Sequence, residues 1–281
     1  MKKILVTGAN GQLGSELSVL SVSYPEFEWI FADRTKVTLD NVELLKNQLA
    51  EIRPDIIFNC GAYTAVDKAE TEKELAFTVN HLAVELISKY TFKNNIKLIH
   101  ISTDYVFDGI SSSALNEETE TNPINVYGES KLAGESACLN ENPNAIIIRT
   151  SWVYSKFGNN FVKTMQRLMQ ERDEIYVVND QIGSPTYAAD LAQVMIDILR
   201  FSNWFPGIYN YSNEGEISWY EFALSIKEFG NYNCNVGGIP SSSYPTPAKR
   251  PNFSLLDKKK IKETYNIQIS DYKKSLKKMF I

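Results

Sequence analysis

Tyr127 and Lys131 stand four residues apart in the run Tyr127-Gly128-Glu129-Ser130-Lys131, so on a helix they share one face. An ammonium held there stabilises a phenolate and lowers a tyrosine pKa from its usual value of about 10. Such a tyrosine can hand a proton to a carbonyl oxygen as hydride reaches the carbon, which is general acid catalysis. Upstream, Ser102-Thr103-Asp104 closes an apolar run, and a hydroxyl at that point can hydrogen-bond the same carbonyl oxygen. Near the start, Gly8, Gly11, Gln12, Leu13 and Gly14 belong to a turn spaced G-x-x-G-x-x-G. Glycines let the backbone turn tightly and approach a pyrophosphate, and a helix opening there offers N–H donors and positive potential. Asp33 follows about 20 residues later, where a carboxylate can hold adenosine ribose hydroxyls. Arg34 beside it can instead meet a 2′-phosphate. NADH and NADPH both stay open on these residues.

These groups need a scaffold that gathers them. Short apolar runs at Lys3–Thr7, Trp29–Ala32, Asp55–Cys60, Lys97–Ser102 and Ala145–Thr150 read as strands. Between them, helical periodicity appears in 41–53, with Asp40 as the N-cap, and in 71–90, with Leu75, Val79, Leu82, Leu86 and Tyr90 on the buried face. Strand and helix in alternation predict right-handed crossovers and a doubly wound parallel sheet, an α/β fold of Rossmann type. Gly8, Asp33, Ala62, Thr103 and Trp152 then all lie just beyond strand C-termini, the edge at which such sheets bind ligands. Trp152 there is either an apolar wall for a sugar or base, or a core side chain.

Past residue 155 the regularity fades. Helices are predicted over 161–172, 188–200 and 218–229, a strand over 175–178, and a Pro-, Ser- and Gly-rich loop over 237–251. The predicted organisation is a dinucleotide-binding domain over 1–155 and a smaller substrate-binding region over 156–281. The two interleave, with part of 176–200 returning to the first. The last 25 residues hold eight lysines against three acids, read as a solvated helix face. Lys249 and Arg250, in a proline-bounded loop, can clamp a diphosphate, since arginine meets phosphate in a bidentate manner.

The chain has 281 residues and a formal charge of −5, which argues against a nucleic-acid binder. Three scattered cysteines, Cys60, Cys138 and Cys234, do not have zinc spacing and point to a reducing compartment. No apolar run reaches 18 residues, and the apolar stretch after Lys2-Lys3 stops at Thr7, too soon for a signal peptide. The expected location is the cytoplasm, with no membrane partner. His81 and His100 read as structural, and no Ser-His-Asp or metal-ligand constellation appears.

Taken together, GANGQLG (8–14), RPDIIFNCGAYTAVDKAE (53–70), STDYVFDG (102–109), NVYGESKLAGE (125–135), RTSWVY (149–154), GNNFVKTM (158–165), NDQIGSPTYAADLA (179–192) and YPTPAKRP (244–251) resemble the extended short-chain dehydrogenase/reductase superfamily. Within it the chain resembles, nearly end to end, the dTDP-4-dehydrorhamnose reductase family. The resemblance implies NAD(P)H-dependent reduction of the 4-keto group of dTDP-4-dehydro-β-L-rhamnose. It implies that Tyr127 is the proton donor, that Lys131 holds the nicotinamide ribose, and that Thr103, Asp104 and Trp152 meet the sugar. It places the cofactor against Gly11, Gln12, Leu13, Asp33, Thr38, Leu39, Ala62, Tyr63 and Thr64. Some relatives bind Mg²⁺ between two subunits. Glu16 matches one such acid, Asp190 stands where another is Glu, and the third is missing, so the resemblance only weakly implies a metal-bridged dimer, while Mg²⁺ and a homodimer both stay open. The rival readings are an epimerase or dehydratase of the same superfamily, or a non-catalytic NAD(P)-binding subunit. Dehydratases put Asp-Glu after the strand-end Thr, whereas Thr103 is followed by Asp104-Tyr105.

Overall fold

A computed structural model describes residues 1–280. Its central element is a sheet of six strands, all parallel: β1 (Lys2–Thr7), β2 (Phe27–Ala32), β3 (Ile56–Asn59), β4 (Lys97–Thr103), β5 (Ile146–Thr150) and a sixth, Gly207–Tyr211. The spatial order is sixth–β5–β4–β3–β1–β2. The direction of winding reverses between β1 and β3, which opens a crevice at their C-terminal ends.

Side chains alternate between the two faces of each strand. Ile4, Val6, Ile56, Phe58, Ile99, Ile146 and Ile148 pack with Leu13, Leu17 and helix Ala188–Arg200. Leu5, Ile57, Leu98 and Ile147 pack on the other face with Leu45, Leu49, Val84 and Ile87. Both faces are covered, which is why the strands read as unbroken apolar runs. The sequence reading placed no element at Gly207–Tyr211, a short run of Gly-Ile-Tyr-Asn-Tyr; its pairing with β5 brings it into the sheet as an edge strand.

Three local expectations change. Asn41, not Asp40, caps helix Val42–Ile52: its Oδ1 accepts from Leu44 N at 3.0 Å, and Asp40 accepts from the Thr38 hydroxyl instead. Residues 73–93 form one helical path as expected, but with a π turn at Thr78–Leu82. Its buried face carries Ala76, Asn80, Ala83, Val84 and Ile87, while Leu75 and Leu82 are exposed. The reason is a close neighbour. Helix Val126–Glu141 approaches so tightly that a Cβ on Gly134 would sit 2.0 Å from the Asn80 carbonyl oxygen, which leaves room only for small side chains; the wider π turn also shifts the face. Gly237–Ile239, expected in a loop, belong to strand Asn235–Ile239, parallel to Glu174–Val178.

A second cluster, built from Tyr154, Val162, Ile175, Tyr187, Phe222, Ile226 and Leu276, lies under helices Phe161–Glu171 and Trp219–Gly230. The lysine-rich C-terminal stretch is not wholly solvated: Lys258 is buried and pairs with Glu214 at 3.3 Å, and Lys278 pairs with Asp190 at 2.7 Å.

Candidate active site

The crevice between β1 and β3 is lined by backbone. Gly8 has φ +66°, and a Cβ there would lie 2.7 Å from the Gly61 Cα. Gly8 therefore meets both demands of the turn, a left-handed backbone and close approach. A Cβ on Gly14 would clash with the Gly8 carbonyl oxygen at 2.5 Å, so this glycine allows helix Gln12–Ser21 to sit against the strand. Gly11 caps that helix without a side-chain hydrogen bond, and no acid lies in the first turn. The N-terminal N–H groups thus keep their positive potential for an anion. Leu13 is buried beneath the turn. Gln12 reaches outward: its Nε2 donates to Val153 O at 3.2 Å and its Oε1 accepts from Asn160 at 2.9 Å.

At the end of β2, Asp33 Oδ1 accepts from Thr35 Oγ1 at 2.6 Å and from the Thr35 and Lys36 amides. The Thr35 hydroxyl, aided by those amides, holds the Asp33 carboxyl below its ordinary range. It is an anion beside the exposed Arg34. Thr38 is tied by its amide to Gln48, and Leu39 lies against Gly61. After β3, Ala62 borders the crevice, Thr64 is exposed and Tyr63 turns inward. The Tyr63 amide donates to Asn80 Oδ1 at 2.9 Å and its hydroxyl to Glu72 at 2.6 Å. Burial, with Glu72 opposite, pushes the Tyr63 hydroxyl up to about 12. The glycine cradle, the bare helix start and the ionised Asp33 fit a dinucleotide.

Helix Val126–Glu141 carries Tyr127 and Lys131, both buried. Asn125 caps it by accepting from Gly128 N at 2.8 Å, and its Nδ2 donates to Lys249 O at 2.7 Å. Lys131 Nζ donates to Ile101 O of β4 at 2.6 Å. Thr103 Oγ1 donates to Asp104 Oδ1 at 3.0 Å and accepts from Tyr105 N at 3.2 Å. The Thr103 hydroxyl thus stands between the Asp104 carboxylate and the Tyr127 hydroxyl. Asp104 is buried; its Oδ2 makes no hydrogen bond of ordinary geometry among the described residues, although the Ser254 hydroxyl lies beside the carboxyl. Burial pushes its carboxyl up to about 6.

The expected depression of the Tyr127 pKa is not what the structure shows. Burial pushes Tyr127 up to about 12, with the Thr103 hydroxyl working the other way and Asp104 adding to the rise. Lys131 falls to about 8 for the same reason, although Glu135 pulls it back up. Both groups lie inside the protein, where desolvation disfavours the charged form of each. Near neutral pH the pair is a neutral phenol and an ammonium.

Below them a polar chain runs through the sheet. Thr7 Oγ1 donates to Asn59 Oδ1 at 2.7 Å, Gly61 N donates to Thr7 Oγ1 at 3.0 Å, and Asn59 Nδ2 contacts His100 Nδ1 at 3.0 Å. His100 is held low by burial, ahead of the Lys131 charge, which agrees with the structural role read for it. Asn80 Nδ2 donates to Tyr63 O and to Ser130 Oγ, each at 3.0 Å, which joins the loop after β3 to the Tyr127 helix. Asn80 and Asn125 were missed in the sequence. Asn125, as a helix-starting asparagine two residues before Tyr127, carried a readable capping signal; Asn80 carried none.

Arg250 does not present a free fork. Its Nη1 and Nη2 donate to Asp67 at 3.1 and 2.8 Å. Trp152 is half-buried and stacked on Trp219 with centroids 3.7 Å apart. Glu16 accepts from Ser155 Oγ at 2.6 Å, and Asp190 is held by Lys278 and Asn213. Among the described residues, no group of three or more His, Cys, Asp or Glu could hold a metal ion, and these two acids, already partnered within the chain, do not fit one.

A doubly wound sheet, a glycine turn at its switch point and a buried Tyr-x-x-x-Lys pair beside a strand-end Thr define a short-chain dehydrogenase/reductase of the extended type. The RmlD substrate binding domain family model matches residues 1–281. The dTDP-4-dehydrorhamnose reductase of Aggregatibacter actinomycetemcomitans is 40% identical, over 99% of this chain and 98% of its own. The crystal structure of dTDP-4-dehydrorhamnose reductase from Bacillus anthracis in complex with NADP superposes with a TM-score of 0.95 at 38% identity, covering 100% of this chain and 99% of that one. A Thermus thermophilus UDP-glucose 4-epimerase complex with NAD shares the fold, with a TM-score of 0.80 at 19% identity over 99% of this chain and 98% of that one. The chain belongs to the dTDP-4-dehydrorhamnose reductase family.

Proposed function

We propose that this protein reduces the 4-keto group of dTDP-4-dehydro-β-L-rhamnose to the alcohol of dTDP-L-rhamnose, using NADPH or NADH, in the cytoplasm. The observation that carries the reading is the buried Tyr127–Lys131 pair beside Thr103 and Asp104, at the strand edge of a chain in this family. The nicotinamide cofactor, when bound, supplies hydride to the C4 carbon. Gly8, Gly11, Gly14 and the amides of Gln12 and Leu13 would hold its pyrophosphate, Asp33 and Arg34 its adenosine ribose. Thr38, Leu39, Ala62, Tyr63 and Thr64 would border it.

Tyr127 is protonated at neutral pH and donates its hydroxyl proton to the carbonyl oxygen, so no free alkoxide forms. Lys131 keeps a positive charge beside it and, with Ile101 holding one of its N–H groups, has donors left for a ribose hydroxyl. Thr103 lines the same edge and hydrogen-bonds Asp104. The unpartnered Oδ2 of Asp104 accepts a sugar hydroxyl, the donor that a buried carboxylate oxygen lacks. Trp152 is the apolar wall. Arg250, loosened from Asp67, meets the diphosphate. Residues 1–155 form the dinucleotide-binding half and 156–281 the substrate region, with part of 176–200 returning to the first.

The test is NADPH and NADH oxidation followed at 340 nm with dTDP-4-dehydro-L-rhamnose made in situ. Substrate-dependent oxidation with dTDP-rhamnose as product supports the reading. Folded protein that oxidises neither cofactor overturns it, and cofactor retained through purification favours an epimerase or dehydratase.

A further inference from the structure

Trp152 has φ +47°. A bulky residue in the left-handed region is a strained outlier that persists only where its surroundings over-determine it. Three contacts do so here. Trp219 stacks on the Trp152 ring at a centroid distance of 3.7 Å and an interplanar angle of 14°. Gly183 lies against the ring, since a Cβ there would come within 3.0 Å of Trp152 Cε2 and Cζ2. The Trp152 carbonyl accepts from Thr186 N at 3.3 Å.

The Trp219 and Gly183 contacts share one origin. Ile182–Gly183 pairs antiparallel with Ile217–Ser218, and Ser218 caps the helix that begins at Trp219 through a capping box with Glu221. The Trp219 backbone is thereby fixed, and Phe161 backs its ring at 4.6 Å. The other side of the assembly faces the reaction edge. Thr150, two residues before Trp152, is in register with Thr103. Ser254 lies beside both Gly183 and Asp104.

We propose that Trp219 is a positioning residue which, with Gly183, clamps Trp152 in its left-handed conformation and so presents a rigid aromatic wall to the sugar ring of the substrate. The proposal rests on the reductase reading above. Trp219 stacks on Trp152 and meets Phe161 at a tilt of 51°, so its role runs through Trp152. Rigidity matters because a wall already fixed loses little conformational freedom when substrate arrives.

The test compares Trp219→Ala, Trp219→Phe and Gly183→Ala with the unaltered protein. Its own turnover of dTDP-4-dehydro-L-rhamnose decides the reductase reading, and the variants decide the clamp. Trp219→Ala is expected to raise KM for the sugar nucleotide about tenfold, the size of one lost aromatic contact, with the NADPH dissociation constant unchanged. Trp219→Phe, which keeps a stacking face, is expected to restore KM. Gly183→Ala pushes the Trp152 ring and is expected to raise KM with Trp219 still in place. A crystal structure of Trp219→Ala is expected to show Trp152 released from positive φ. Retention of the Trp152 conformation in that structure overturns the proposal whatever the kinetics, as does an unchanged KM in Trp219→Ala. If Trp219→Ala does not fold, an unchanged KM in Gly183→Ala overturns it alone. The structural arm needs no turnover, so it stands even if the substrate assignment fails.

Discussion

Lys131 Nζ donates to the carbonyl oxygen of Ile101 at 2.6 Å, so the lysine is moored to the same strand that carries Thr103 two residues later. The mooring ties the Tyr127 helix to β4. It also places an ammonium in a buried layer where Glu135, ahead of Cys138 and Cys60, offsets part of the cost of desolvation.

Tyr127→Phe removes the proton donor and little else, since the ring still meets Tyr105 edge-to-face. Turnover is expected to fall about 10²–10⁴-fold, while NADPH binding measured by fluorescence stays intact. A variant with near-normal kcat would remove Tyr127 from the proposed chemistry.

The pH profile follows from two shifted groups. Asp104, raised to about 6, becomes a charged, acceptor-only group once ionised, so kcat/KM rises as pH climbs through about 6. Lys131, lowered to about 8, loses its charge above that value, so kcat/KM falls on the alkaline side. Tyr127, at about 12, stays protonated across the whole range. Initial rates between pH 5 and 9 (on the order of the range in which both groups titrate) test this. Absence of an alkaline limb would exclude Lys131 as the group that must be charged.

Arg149 and Glu135 form a buried bidentate pair, with Arg149 Nη2 2.7 Å from Glu135 Oε2. Breaking it from one side leaves an uncompensated charge, which typically costs 3–5 kcal/mol. Glu135→Gln is expected to lower the denaturant midpoint accordingly. It also removes the carboxylate that supports the Lys131 charge, so the alkaline limb moves to lower pH. Stability loss with an unmoved limb would uncouple Glu135 from Lys131.

Arg250→Ala is expected to raise KM for the sugar nucleotide, because the fork that Asp67 now holds is the one proposed to meet the diphosphate. Asp67→Asn, which weakens the latch and keeps the arginine, is expected to leave KM equal or lower. An unchanged KM in Arg250→Ala would leave the Asp67 pair as a structural contact only.

Gly8→Ala tests the cradle. A Cβ at 2.7 Å from Gly61, on a backbone of φ +66°, moves the turn. Cofactor affinity is expected to fall sharply in a direct titration, with the sheet retained by circular dichroism.

Local pattern determined much of this protein. Unbroken apolar runs marked five of the six central strands, because a sheet covered on both faces needs no polar alternation. The glycines of 8–14 and the i, i+4 spacing of Tyr127 and Lys131 were legible because a tight turn and a helix face are properties of neighbouring residues. What only the tertiary structure decided were quantities set by residues far apart in the chain. The edge strand Gly207–Tyr211 exists because β5 supplies its hydrogen bonds. The long helix buries Ala76, Asn80 and Ala83 because Gly134 lets another helix press against it. Tyr127 is raised and not lowered because burial, which is a sum over the whole fold, disfavours the phenolate. Arg250 has its partner in Asp67, and Trp152 its clamp in Trp219 and Gly183. No spacing rule reaches across such separations; they follow from how the layers pack.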